Sequence, residues 1–199
     1  RRIVSRRDGE WHPHLVDRMV LSCTSPGGNH ASYPFENLRG MDADTAFATK
    51  MRINDTRWNP NVDAPIPGMG KYYDTMVEQA RATPDPEVMI GLSKQLAARA
   101  GHDVEEDLAA IRTQTLVCAG RFDGTAPLVN SEILAAEMPD ARLAVFDGGH
   151  LFFLQDRSAY PAIIEFLQHG HQVAPTSHPS NPSNPSNPSN PSIRTQETN

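Results

Sequence analysis

The chain has 199 residues, of which 38% are hydrophobic and 21% charged, so it is long enough for one domain with a packed core. Its net charge of -6 does not provide the basic surface that nucleic acid or an anionic membrane would require. No apolar run reaches the roughly 18 residues that span a bilayer, and the first residues lack the pattern of a signal peptide. We therefore expect a cytoplasmic protein that binds no nucleic acid and no membrane.

The first predicted element is a short β-strand over residues 19–23, Met-Val-Leu-Ser-Cys, which ends in the turn-forming sequence Ser-Pro-Gly-Gly. Cys23 closes this apolar run, and Cys118 lies inside a later one. Cysteines in such positions are typical of reduced, buried residues in a cytosolic protein. A disulfide between them is the alternative, since the two strands could be neighbours.

A helix is predicted after residue 84, because Asp85 and Pro86 favour a helix start and Gly101 favours its end. Apolar side chains recur between them at helical spacing, namely Met89, Leu92 and Leu96. Ser93 lies within this pattern, in Gly-Leu-Ser-Lys-Gln. We interpret Ser93 as a surface residue of the helix and not as a nucleophile.

Residues 42–53 predict another helix, and the Pro- and Gly-rich residues 58–70 predict a loop. The same region is rich in methionine and aromatic residues, which could line an apolar acyl pocket or belong to the core: Met41, Phe47, Met51, Trp58, Met69, Tyr72, Tyr73 and Met76. The pair His102-Asp103 has no zinc-type spacing around it, so we interpret it as structural.

Two buried parallel strands are predicted at residues 115–119 and 142–146, because both are short apolar runs that stop at glycine-containing loops. A helix is predicted between them, from Pro127 to about Met138. Asp123 follows the first strand and His150 follows the second. In a strand–helix–strand unit of this kind, the carboxyl ends of both strands lie at the same edge of the sheet.

Asp123 and His150 are therefore expected to be neighbours. A carboxylate in this position fixes the tautomer of an imidazole, which can then act as general base toward a hydroxyl nucleophile. Taken singly, each residue has a simpler interpretation. An Asp-Gly pair is a favoured turn sequence, and a loop histidine after two glycines is often a surface residue.

A last helix is predicted from Ser158, as its cap, to Gly170, with an apolar stripe packed on the sheet behind His150: Tyr160, Ile163, Ile164 and Leu167. Beyond it, Ser-Asn-Pro repeats have little apolar surface to bury. We expect this tail to be disordered and assign it no function.

The segment GRFDGTAP, the helix after it, FDGGHLFFLQD and the last helix together resemble the C-terminal part of the α/β-hydrolase superfamily. His-Pro-His-Leu-Val-Asp-Arg-Met-Val-Leu resembles an earlier segment of that fold. By this resemblance Asp123 matches the triad acid and His150 the triad histidine. The family carries its serine in a G-x-S-x-G elbow, which this sequence lacks, so the resemblance implies a serine upstream of Arg1.

The resemblance implies a hydrolase of ester, lactone or amide-type bonds in small molecules, acting through a Ser-His-Asp mechanism. It implies neither a cofactor nor a metal ion. A chain without the serine and its oxyanion donors is expected to have little activity alone. One alternative is a non-catalytic, truncated or degenerate module that acts through binding. Another is the chemistry of relatives that use an aspartate nucleophile on carbon–halogen bonds, or of cofactor-free oxygenases and lyases.

The expected fold class is α/β, a partial parallel sheet of α/β-hydrolase type with a helical cap and a disordered C-terminal tail. The expected domain boundaries place a remnant of the core at residues 1–28, the cap at 29–107, the C-terminal core at 108–170 and the tail at 171–199.

Overall fold

The computed structural model of the chain describes residues 15–59, 69–81 and 85–172. The prediction for the tail therefore lies outside the described residues from residue 173 onward, and most of the loop predicted at residues 58–70 also lies outside them. The described strands and α-helices, in chain order, are β1 (Arg18–Ser22), α1 (Ala43–Asn54), α2 (Gly70–Arg81), α3 (Pro86–Arg99), β2 (Gln114–Gly120), α4 (Leu128–Glu137), β3 (Ala141–Phe146), α5 (Phe152–Gln155) and α6 (Ala159–His169).

The three strands form one parallel sheet in the order β1-β2-β3. Ser22 pairs with Cys118, and Gly120 pairs with Phe146, so the three strands end near the same edge. The central strand β2 is buried from its second residue to its last, which explains its continuous apolar sequence. The predicted α/β class and the parallel strands are confirmed.

Helices cover both faces of the sheet. On one face, aromatic residues of α5 and α6 pack against β2 and β3, and the buried members of this cluster are Leu116, Cys118, Phe146, Phe152, Ala159 and Phe166. On the other face, α4 packs against β2 and β3 in a second cluster of Met19, Leu108, Val117, Leu134 and Met138. The stacked rings of Phe146 and Phe152, with centroids 4.8 Å apart, join the end of β3 to α5.

Two predicted helices of the region before β2 are confirmed, and a third was missed. The side chain of Asp42 accepts a hydrogen bond from the amide of Thr45 at the start of α1, and Asp85 does the same for Glu87 at the start of α3. The missed helix, α2, begins at Gly70, which the sequence placed in a loop. A glycine start after a Pro-rich stretch gave no capping signal.

The predicted apolar stripe of α6 is wrong by one residue. Tyr160, Ile164 and Leu167 are 53%, 52% and 46% exposed, and the buried face carries Ala159 and Phe166. A shift of one residue rotates the stripe by about 100°. Ser158 does not cap α6 through its side chain, because its hydroxyl donates to the carboxylate of Asp156 at 2.6 Å.

Among the described residues, none of the helices combines the length and the apolar character needed to cross a bilayer.

Candidate active site

Three side chains meet where the three strands end. Cys23 follows β1, Asp123 follows β2 by three residues and His150 follows β3 by four. The imidazole Nδ1 of His150 lies 2.9 Å from Oδ2 of Asp123. The expected adjacency of these two residues is confirmed, and it follows from the parallel pairing of β2 and β3.

The carboxylate of Asp123 is buried and held on both oxygens. Its Oδ1 accepts hydrogen bonds from the backbone amides of Thr125, at 2.7 Å, and Ala126, at 2.8 Å. Its Oδ2 accepts the bond from His150. The Asp-Gly-Thr-Ala sequence therefore forms a turn in which two backbone amides bind Oδ1 of Asp123. This turn directs Oδ2 toward the imidazole.

The hydrogen bond to Asp123 sets the tautomer of His150. A carboxylate oxygen can only accept, so Nδ1 carries the proton and Nε2 is left as the basic nitrogen. The His150 side chain is 30% exposed, whereas the side chain of Asp123 is fully buried. Within the described part of the chain, Nε2 has no hydrogen-bond partner. The arrangement can accept a proton from a hydroxyl group on the side of the imidazole away from Asp123.

The two loops that carry Asp123 and His150 pack directly on each other. The amide of Phe122 donates to the carbonyl of Gly148 at 2.9 Å. A β-carbon at Gly120 would overlap the carbonyl oxygens of Gly148 and Gly149, so only glycine fits at the end of β2. This close approach brings the carboxylate and the imidazole within hydrogen-bonding distance.

Cys23 completes the cluster from the side of β1. Its backbone has a left-handed φ of 51°, and its thiol donates to the backbone carbonyl of His150 at 2.8 Å. Burial, followed by the nearby charge of Asp123, raises the pKa of the Cys23 thiol well above its usual value. Both Cys23 and Cys118 are free thiols, so the disulfide alternative is wrong.

Donor atoms of Cys23, Asp123 and His150 lie within 4.8 Å of one another, and thiolate, carboxylate and imidazole are the ligands that zinc prefers. In the structure these atoms bond to protein groups. A metal ion here would need the thiol proton removed against its raised pKa, and it would break the bond between Asp123 and His150. The donor set therefore fits a hydrogen-bonded acid–base pair better than a metal centre.

Several other residues that the sequence singled out are exposed or have structural contacts. Ser93 is exposed on α3, as interpreted. His102 and Asp103 serve the turn after β1, since the carbonyl of His102 accepts from the amide of Gly28 at 3.1 Å. Met51 and Met69 are 0% exposed, which favours the core interpretation for these two methionines.

The sequence missed one part of the site, the C-terminal end of α1. The amide of His150 donates to the carbonyl of Asn54 at 2.6 Å, and the carbonyl of Ile53 accepts from the amide of Gly124 at 3.0 Å. Helix α1 thus contacts both loops. The only local signal is Asn-Asp-Thr-Arg after the helix, where Oδ1 of Asp55 accepts from the amide of Arg57 in an Asx-type turn.

The chain is similar in sequence to known hydrolases. The chain is 40% identical over 91 residues to a poly(3-hydroxyalkanoate) depolymerase of Ectopseudomonas oleovorans, a match that covers 45% of this chain and 32% of that protein. It is 28% identical over 159 residues to RutD of Caulobacter sp. (strain K31), assigned as a carbamate hydrolase, which covers 78% of this chain and 58% of RutD. No protein-family profile matches the chain.

Solved structures agree on the fold. An alpha/beta hydrolase enzyme from a Medee basin deep-sea metagenome library superposes with a TM-score of 0.54 at 14% identity, covering 83% of this chain and 61% of that enzyme. The matched part of the chain thus spans 32% to 61% of the lengths of these three proteins. Its parallel sheet and this structural likeness show that the chain has the α/β-hydrolase fold.

Proposed function

We propose that the chain supplies the acid and the base of a serine hydrolase that cleaves ester, lactone or amide-type bonds in small molecules. The observation that carries the proposal is the 2.9 Å hydrogen bond between the buried carboxylate of Asp123 and Nδ1 of His150. The relatives named as a depolymerase and a carbamate hydrolase support a carbonyl substrate of this class.

In the proposed mechanism, Nε2 of His150 takes the proton of a serine hydroxyl while the serine oxygen attacks the substrate carbonyl. Asp123 stabilises the imidazolium that forms. The imidazolium then gives its proton to the leaving group, and an acyl-enzyme remains. A water molecule, deprotonated by His150, hydrolyses the acyl-enzyme and restores the serine.

The serine of this mechanism is placed outside the described residues, in the part of the fold that the relatives contain and this sequence does not span. Two facts support this placement. The sequence has no G-x-S-x-G motif. The matches also cover only 32% of the depolymerase and 58% of RutD, so both relatives extend beyond the shared region.

The domain division belongs to the same proposal. Residues 29–107 act as the cap over the site and residues 108–170 as the C-terminal core that carries Asp123 and His150. The contact of α1 with both loops supports a cap that is fixed to the core on at least one side.

Hydrolysis of a p-nitrophenyl ester tests the mechanism in the intact protein, by which we mean the form that includes the proposed serine. Replacing His150 by alanine is expected to lower kcat/KM by at least about 10³-fold, because the general base is lost. His169→Ala is the matched control, since His169 is exposed at the end of α6, and it should leave kcat/KM within about twofold. Undiminished ester turnover in His150→Ala would contradict the assignment.

A further inference from the structure

We propose that Asp55 is a positioning residue that holds the loop of His150 in place, a role that rests on the proposed pairing of Asp123 with His150. The side chain of Asp55 is completely buried just beyond the end of α1. Its oxygens accept four hydrogen bonds, from the amide, Nε and Nη2 of Arg57 and from Nε2 of Gln155. These bonds, of 2.8 to 3.0 Å, use the full accepting capacity of the carboxylate.

The network reaches His150 through Gln155. The amide group of Gln155 donates to Oδ2 of Asp55 at 2.9 Å, and its Oε1 accepts from the backbone amide of Gly149 at 2.6 Å. The next amide along the chain, that of His150, donates to the carbonyl of Asn54. Two consecutive amides are therefore fixed by α1 and its Asp55 network. Together they fix the position of the His150 backbone from which the imidazole extends.

The same end of α1 also fixes the loop of Asp123. The carbonyl of Ile53 accepts from the amide of Gly124 and from the hydroxyl of Thr125, both at 3.0 Å. The amide of Thr56 donates to the carbonyl of Phe122 at 2.9 Å. One short segment of the chain therefore sets the separation of the acid loop from the base loop, although it supplies neither reacting group.

The charge of Asp55 is maintained in spite of its burial. Burial alone would raise its pKa, but the hydrogen bonds from Arg57 and Gln155 outweigh burial and hold the pKa below its usual value. The Arg57 guanidinium lies over the ring of Phe122 at 4.2 Å and reaches Asp147 at 3.5 Å, so it ties the acid loop to the base loop a second time.

Removing the Asp55 carboxylate from water is costly, so its pairing with Arg57 contributes little net stability compared with apolar residues of the same volume. The Asp55 network instead has the property that a positioning role requires. Both partners of the Asp55 carboxylate reach the two loops: Gln155 accepts from the amide of Gly149, and Arg57 contacts Phe122 and Asp147.

The test is the rate at which the Nδ1 proton of His150 exchanges with solvent, measured by ¹⁵N-edited NMR on the intact protein. Gln155→Met keeps the ion pair of Asp55 with Arg57 and removes only the link to the His150 loop. Asp55→Asn removes the charge at the centre of the network. Gln155→Met removes the bond to Asp55 and the bond from the amide of Gly149. Both variants are expected to speed the exchange about tenfold, because the less firmly held His150 loop opens more often.

Asp42→Asn is the matched control, because Asp42 caps the opposite end of the same helix and is exposed. It should leave the exchange rate within about twofold. If Asp55→Asn does not fold, Gln155→Met alone decides the question. An unchanged rate in Gln155→Met overturns the proposal, and so does an equal acceleration in Asp42→Asn, since that would reflect general loosening of α1. The exchange rate does not depend on ester turnover, so an inactive protein with the expected rates would contradict only the proposed function.

Discussion

Helices α1 and α3 have the same kind of start and different surroundings. They are 12 and 14 residues long, and each begins at an aspartate whose carboxylate accepts a backbone amide. Helix α1 buries Met51 and Asn54, whereas α3, whose residues are all described, buries none. Several apolar side chains of α3 are exposed, with Val88 64% and Ile90 56% exposed. Local capping signals therefore explain why both helices form, and they do not determine which one docks.

The docking of α1 comes from its end. Beyond Met51 the chain places two backbone carbonyls against the Asp123 and His150 loops and buries the carboxylate of Asp55. Helix α3 is attached through its last turn, where Arg99 donates to the hydroxyl of Ser32 and the carbonyl of Tyr33 at 2.7 and 2.6 Å. Helix α1 should therefore be coupled to the site, and α3 should tolerate substitutions.

The sharpest test of this difference replaces a methionine in each helix. Met51→Ala is expected to lower the free energy of unfolding by about 2–5 kcal/mol, because it leaves a cavity at a fully buried position. Met89→Ala, at a position that is 45% exposed, should change it by about 0.5 kcal/mol or less. Urea unfolding followed by circular dichroism measures both, and equal losses would mean that the two helices are equally docked.

Two glycine substitutions, one in each region, should change the free energy of unfolding in opposite directions. Gly149→Ala places a β-carbon against the carbonyl oxygen of Asn54 and 2.8 Å from Cβ of Asp55, and we expect a loss of about 1–3 kcal/mol. Gly91→Ala in α3 meets open space, and we expect a gain of about 0.5–1 kcal/mol from higher helix propensity. Thermal unfolding of the two variants checks the signs, and a stabilising Gly149→Ala would show that α1 is free to move away from the His150 loop.

The smallest effect we expect is in pH dependence, because Arg57 is 31% exposed and water can solvate it when Asp55 is neutral. The pKa of Asp55 is lowered in the folded state, so its contribution to stability is present above the ordinary carboxyl pKa of about 3.9. That contribution is lost as the pH falls through the folded value. The difference in unfolding free energy between the wild type and Asp55→Asn should therefore narrow as the pH falls below about 4. A difference that stayed constant with pH would contradict an ionised Asp55 in the folded protein.

Sequence reasoning placed Asp123 beside His150 because the parallel topology carries the information. Each residue follows a recognisable buried strand, and parallel neighbours end at one edge. It could not place Asp55, because Asp55 meets Gln155 across 100 positions of the chain and no local pattern records that contact. Asp55 also reads locally as an ordinary turn residue.

The error in α6 has a different origin. Residues 160, 163, 164 and 167 and residues 159, 162, 163 and 166 are both apolar sets at helical spacing, one residue apart. In the structure, Ala159 and Phe166 of the second set are buried against the aromatic cluster, and Ala162 and Ile163 are partly buried there. A small residue lets the helix approach the sheet closely, and hydropathy does not register that advantage.

The free thiol at the end of β1 gives the site a built-in reporter. Alkylating reagents react with thiolates, and burial keeps Cys23 protonated at neutral pH, as it does Cys118, whose pKa burial raises to about 12. The Cys23 thiol is bonded to the carbonyl of His150, so lifting of the histidine loop from the end of β1 would release it. The labelling rate of Cys23 should therefore rise when that loop opens, and it can be measured without introducing a label site.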